Sequence, residues 1–181
     1  MSSRIFVRLI FCLALLIFGC SKDVPVSTEL TQSEQGSVLG KAGGATQISG
    51  VSFFAGTGEC ENPPPDEVPT FALSMTGDLV GCHYVTVLTA ECSPSGTYRE
   101  TGTETFVGTY NGKTGSFKTT YKFEAKYQDC ENIPEGEIFG RCQHPIVKGS
   151  GTGDFEGVTG RLDFKDNIEA GNFPYRGHLR F

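Results

Sequence analysis

The chain reads GSGTGDFEGVTG from Gly149 to Gly160, and RLDFKD continues it from Arg161 to Asp166. Such a glycine-rich run either cradles a phosphate or turns a sheet. A dinucleotide fingerprint places G-x-G-x-x-G between a strand and the start of a helix. Here Gly151, Gly153 and Gly157 give G-x-G-x-x-x-G, and no Lys-Ser/Thr pair comes after them as a phosphate loop requires. The RLDFKD run is a strand, because Leu162 and Phe164 alternate with Arg161, Asp163 and Lys165. The glycines are therefore read as tight turns and sharp strand bends, where a positive φ or a bare backbone is needed.

The same alternation organises the rest of the chain. In GSFKTTYKFEAKYQ, Gly115 to Gln128, one face carries Phe117, Thr119, Tyr121, Phe123, Ala125 and Tyr127 and the other is polar and charged. One side meets a core and the other meets water. TYRETGTETFVGTY precedes it, joined through Asn111-Gly112, a strong hairpin signal because both turn residues accept positive φ. Further strands are expected in TQISGVSFFAGTG, TFALSMTG, DLVGCHYVTVLTAE and IFGRCQHPIVK, two more in GTGDFEGVTGRLDFKDNIEA, and a last one around Phe173, Tyr175, Gly177, Leu179 and Phe181. ENPPPDEVP, Glu61 to Pro69, is an extended loop, since consecutive prolines cannot donate to a ladder. No helical period persists. Seven or eight antiparallel strands at short spacing imply a barrel or a sandwich, and 24 glycines and 14 phenylalanines suit a turn-rich, aromatic-filled β architecture.

A weak internal echo sharpens this reading. Phe106-Val107-Gly108 leads through a turn to Thr114-Gly115, as Phe155-Glu156-Gly157 leads to Thr159-Gly160. The runs ETFVGTYNGKTGSF and GTGDFEGVTGRLDF resemble the glycine and aromatic signature of the allene oxide cyclase and dirigent-like barrels and their bacterial secreted relatives, over Gly77 to Phe181. The resemblance implies a small all-β, eight-stranded antiparallel barrel, and a family whose plant members bind apolar oxylipin or phenolic substrates inside it. It carries no catalytic residue onto a position of this chain.

The N-terminus has the parts of a secretory signal: Arg4 and Arg8, then an apolar core from Leu9 to Phe18, too short to span a bilayer as a helix. It ends in LIFGC, which resembles a bacterial lipobox with Cys20 as the acylated residue, although Phe18 is larger than usual there. Ser21-Lys22-Asp23 resembles the start of surface lipoproteins of Bacteroidetes-type bacteria. An ordinary signal cleaved nearby is the alternative. The expected organisation is a signal over 1–19, a lipid-anchored flexible linker over 20–46 and a barrel domain over 47–181, placed in the cell envelope at the outer membrane or cell surface. Loss of residues 1–19 removes two arginines and no acid, taking the formal charge from −6 to −8, which disfavours a nucleic-acid partner.

Setting Cys12 and Cys20 aside leaves Cys60, Cys82, Cys92, Cys130 and Cys142, an odd number for an oxidising compartment. If the hairpin around ENIPEGE centres near Gly136, Cys130 and Cys142 face each other, with Cys60 and Cys92 as a second pair and Cys82 free. No CxxC spacing occurs and His83, His144 and His178 are scattered, so no structural metal is expected, nor any cofactor.

One strand carries an anomaly. If Tyr98, Phe106 and Tyr110 face the interior, Glu100 and Glu104 face it too. Buried carboxylates are costly unless paired or solvated, and Arg141 or His83 is a candidate partner, making a polar spot in an aromatic-lined pocket. The alternative register places Thr97, Arg99, Thr101, Thr103, Thr105 and Val107 inside and leaves the acids in water. His144 is expected to pack in a loop before Pro145, and His178 to point outward. No nucleophile elbow or cysteine–histidine context supports a hydrolase. Three readings remain: a barrel binding a small apolar ligand, a cyclase or isomerase using a buried acid, and a filled barrel serving as an interaction module.

Overall fold

The computed structural model describes residues 44–131, 133 and 135–181. The signal, Cys20 and nearly all of the linker lie outside the described residues. The strands are β1 (Thr46–Phe54), β2 (Phe71–Gly77), β3 (Leu79–Cys92), β4 (Thr97–Tyr110), β5 (Lys113–Tyr127), β6 (Glu137–Pro145), β7 (Thr152–Gly153), β8 (Thr159–Lys165) and β9 (Phe173–Arg180). Eight of them close an antiparallel barrel in the order β1-β2-β3-β4-β5-β6-β8-β9, with β9 returning to β1. The short β7 is an extra strand laid along the start of β5.

Along β5 the alternation is carried into the fold: Phe117, Thr119, Tyr121, Ala125 and Tyr127 are buried while the lysines between them stay on the outer side. The β4–β5 ladder is regular from Thr97↔Lys126 to Tyr110↔Lys113, and its turn is Asn111-Gly112 with φ of 47° and 78°. Those mirror-image turn angles match the right-handed strand twist, which is why Asn-Gly selects this hairpin. In β3 a register shift between Val87 and Thr89 breaks the ladder to β4 near the barrel mouth.

The two ends of the barrel are packed differently. At one end Phe106, Phe117 and Phe155 are fully buried, with ring centroids 5.0 to 5.9 Å apart. Phe155 belongs to the glycine-rich loop, so that loop delivers a plug rather than a phosphate cradle. Each such ring contributes about 1.5–3 kcal/mol by leaving water. At this end Tyr175 also accepts from Leu79 N–H at 2.9 Å and donates to the Thr76 carbonyl at 3.1 Å. At the other end the strands carry Phe54, Phe71, Tyr98, Phe123, Tyr127 and Phe173, which frame an open cavity instead of filling it.

The cysteine pairing corrects the expectation from sequence. The disulfides are Cys60–Cys82 and Cys92–Cys130, with Cα separations of 5.5 and 5.9 Å, and Cys142 is a free buried thiol. The β5–β6 ladder pairs Lys126 with Phe139 and Phe123 with Cys142, so the hairpin turns before Gly136 and Cys130 lies beyond the ladder. There it meets Cys92 at the end of β3. On β6, Gly140, Cys142 and His144 take the inner face, which removes Cys142 from any partner outside. Cys82 faces outward between His83 and Gly81, and there it holds the proline-rich loop against the wall. Tyr84 supports the same loop by donating to the Asn62 carbonyl at 2.8 Å. Closing loops with sequence separations of 22 and 38 residues is worth roughly 3–4 kcal/mol each by restriction of the unfolded chain.

Candidate functional site

The cavity at the open end has a volume of about 450 Å³ and runs from the aromatic mouth down to Glu104 and His144. Its lining places Tyr98, Glu100 and Glu104 together, as the inward register of β4 requires. The other candidates are distributed differently. Phe106 is one step of alternation too deep and belongs to the plug. Arg141 points outward and pairs with Glu124 at 3.3 Å on the exposed surface, because its neighbours Gly140 and Cys142 hold the inner face of β6. His83 is fully buried behind the cavity floor and reaches the carboxylate from β3.

Glu104 Oε2 is the hub of that floor. It accepts from Thr119 Oγ1 at 2.5 Å and from His144 Nδ1 at 2.5 Å, and His83 Nε2 stands 3.3 Å away. Burial alone would push the Glu104 carboxyl upward. The two imidazoles and their hydrogen bonds outweigh it and hold the group well below the ordinary carboxylate range. With Nδ1–H donated to Glu104, a neutral His144 ring presents Nε2 as an acceptor, and that atom has no partner among the described residues. His144 lines the cavity and stacks on Tyr121 at 5.8 Å between ring centroids.

Two same-face positions towards the mouth, Glu100 accepts on both oxygens, from Tyr98 Oη at 2.5 Å and Tyr121 Oη at 2.6 Å. Burial, then the hydrogen bond and charge of Glu100, push both phenols well above the ordinary tyrosine range. Gly102 makes this possible: it pairs with Tyr121, and a Cβ there would collide with the Tyr121 ring. The E-T-G-T-E run thus sets two inward acids on either side of a slot for a tyrosine.

A third acidic group sits on the β6–β8 side of the mouth. Glu137 and Asp166 converge over Gly140, where an added Cβ would strike both carboxyls. Burial first, then the hydrogen bond to Asp166 and its charge, push Glu137 up to about 7. Burial likewise raises Asp166. The pair shares a proton near neutrality. Cys142, also in the lining, is driven far above the ordinary thiol range by burial and by Glu104, which keeps it protonated and poor as a nucleophile.

His83, Glu104 and His144 offer ligand atoms that all lie within 4.8 Å of one another, a donor set able to hold a divalent metal. As they stand, they are already joined by hydrogen bonds through Glu104. Sequence reasoning misses His144 as a site residue, because the Pro145 beside it suggests loop packing. The signal that finds it is the alternation of Gly140, Cys142 and His144 on β6, which places it on the same face as the buried thiol.

No curated protein matches the chain. A family model described as Protein of unknown function (DUF3224) matches residues 67–176, a span holding the Glu104 triad and every cavity-lining residue except Phe54. The match covers more than half of the sequence, and the chain belongs to that family.

Proposed function

We propose that the protein binds a small, largely apolar or aromatic ligand in the open half of its barrel, and that it does so as a lipoprotein anchored to the bacterial envelope through Cys20. The observation that carries the binding reading is the cavity itself: about 450 Å³, walled by aromatic rings and ending in a few converging polar groups. That size and chemistry are those of small-molecule sites. A barrel filled by its own side chains would leave no such space, and here the plug of Phe106, Phe117 and Phe155 stops halfway. The lipobox-like LIFGC supports the anchor. Native mass spectrometry of protein purified from its own host tests the binding: a retained small molecule released on denaturation is expected, and a bare mass that also takes up no aromatic probe refutes it. For the anchor, Cys20→Ala is expected to release the protein from membranes, and retention through detergent-free washing refutes it.

A cyclase or isomerase reading, in keeping with the allene oxide cyclase-like resemblance, is favoured by one observation. Glu104 orients His144 so that Nε2 is free beside the cavity, the arrangement of a general base held in one tautomer. Under that reading His144 moves a proton on a ligand bound against Tyr121. Its test is loss of turnover in His144→Gln with ligand binding retained.

A further inference from the structure

The cavity that we read as a ligand site has a one-sided polar complement. Four acids line it (Glu100, Glu104, Glu137 and Asp166) and, among the described residues, no lysine or arginine does, although the chain holds 15 of them. Glu104 is matched by two imidazoles and a hydroxyl. Glu100 has hydrogen bonds from two phenols but no counter-charge, and Glu137 and Asp166 face each other. Among the described residues no lysine or arginine forms an ion pair with any of these last three.

The unpartnered polar atoms of the lining point the same way. Beside Glu137, whose carboxyl hydrogen-bonds Asp166, they are Asn172 Oδ1, a buried acceptor, and His144 Nε2, a buried acceptor when its ring is neutral. His144 is only 5% exposed, so its orphaned nitrogen is inside the wall of the site rather than in bulk water. An orphaned buried acceptor is destabilising until a donor meets it. A ligand that satisfies this cavity must therefore bring N–H or O–H donors and positive charge. Tyr127 marks where the charges meet: burial first, then Glu137, Asp166 and Glu100, push its phenol up to about 12.

We propose that the ligand is an organic cation, an amine or related nitrogen base with an apolar or aromatic body, whose charged end sits between Glu100 and the Glu137–Asp166 pair. The ammonium supplies the counter-charge those carboxylates lack. The rings of Tyr98, Phe123 and Tyr127 line the same cavity as the acids, and aromatic rings favour a desolvated cation further. A neutral ligand leaves the deficit in place, and an anion adds to it.

This inference rests on the cavity being a ligand site, and the test separates the two. Isothermal titration at pH 7.5 compares 1-naphthylmethylamine, 1-naphthalenemethanol and 1-naphthoic acid, which share a ring system and differ in charge. The amine is expected to bind at least about tenfold tighter than the alcohol, and the acid weakest of the three. In Glu137→Gln and Glu100→Gln the ratio of amine to alcohol affinity is expected to fall towards one. Glu137→Gln, at the mouth, carries the test if loss of the Glu100 hydrogen bonds prevents folding. An alcohol that binds as tightly as the amine, or an acid that binds tightest, overturns the cation while leaving the cavity reading intact. Absence of binding by all three, and by a neutral dye probe, overturns the cavity reading and the cation with it.

Discussion

His144 Nδ1 lies 2.5 Å from Glu104 Oε2, joining β6 to β4 across the intervening β5 at the floor of the cavity. Neither residue is paired to the other in any ladder. The contact exists because both take the inner face of a closed barrel, and it draws His83 and Thr119 to the same oxygen.

Removing the hub leaves two buried imidazoles facing an empty position. Glu104→Ala is expected to cost about 3–5 kcal/mol, as for breaking a buried ionic group by deleting one partner. Urea unfolding at pH 7 measures it. The acid dependence comes from the same group. Its folded carboxyl is held below the ordinary value of 4.5, so its stabilisation is present above that pH and is lost as pH falls through the folded value. Wild type should lose stability below about pH 4.5 more steeply than Glu104→Gln.

Glu137 behaves in the opposite sense. Its folded carboxyl is raised to about 7, so the folded state holds a proton that the unfolded chain has already lost, and stability falls as pH rises from the ordinary carboxyl range through 7. The groups facing it are Asp166 and Tyr127, with Glu100 and His144 acting on those two. In Glu137→Gln that penalty is absent. The melting temperature of the variant relative to wild type should rise between pH 5 and pH 8, and a constant difference would refute the shared proton.

The glycine-rich loop separates two kinds of glycine. Gly157 has φ +81° with open space where a Cβ would stand, whereas Gly160 at φ +145° would drive a Cβ into the His178 carbonyl. Gly157→Ala should cost about 1–2 kcal/mol from the left-handed backbone alone, and Gly160→Ala more, since the β8–β9 ladder must open. Thermal melts measure both. Millimolar ATP or NAD should shift neither wild type nor variants, because the loop leads into β8 rather than a helix and packs Phe155 into the barrel plug.

Cysteine chemistry is the most direct check on topology. Non-reducing peptide mapping should recover Cys60–Cys82 and Cys92–Cys130. Cys142 should resist a thiol reagent at pH 8 in the native protein and react on denaturation, as a buried thiol held protonated requires. Native labelling of Cys142 at the rate of a free thiol would contradict the inward face of β6.

Local patterns determined the strands. The alternation in β5, the Asn111-Gly112 turn and the failure of GSGTGDFEGVTG as a phosphate loop are each legible over a dozen residues or so, because side-chain period and turn chemistry are properties of neighbours in the chain. Two registers for β4 are open in the sequence, since threonines on one face and acids on the other are each tolerable in isolation. Only closure of the barrel decided between them: the regular β4–β5 ladder opposes Phe106 to Phe117 and Glu104 to Thr119, which sends both acids inward. Disulfide partners, the outward turn of Arg141 and the meeting of His83 with His144 were likewise beyond the sequence. Each depends on which strand edges pair and in what register, and a shift of one residue there reverses the face of every side chain on the strand. The chemistry of this cavity is therefore written in residue types but assembled by long-range pairing.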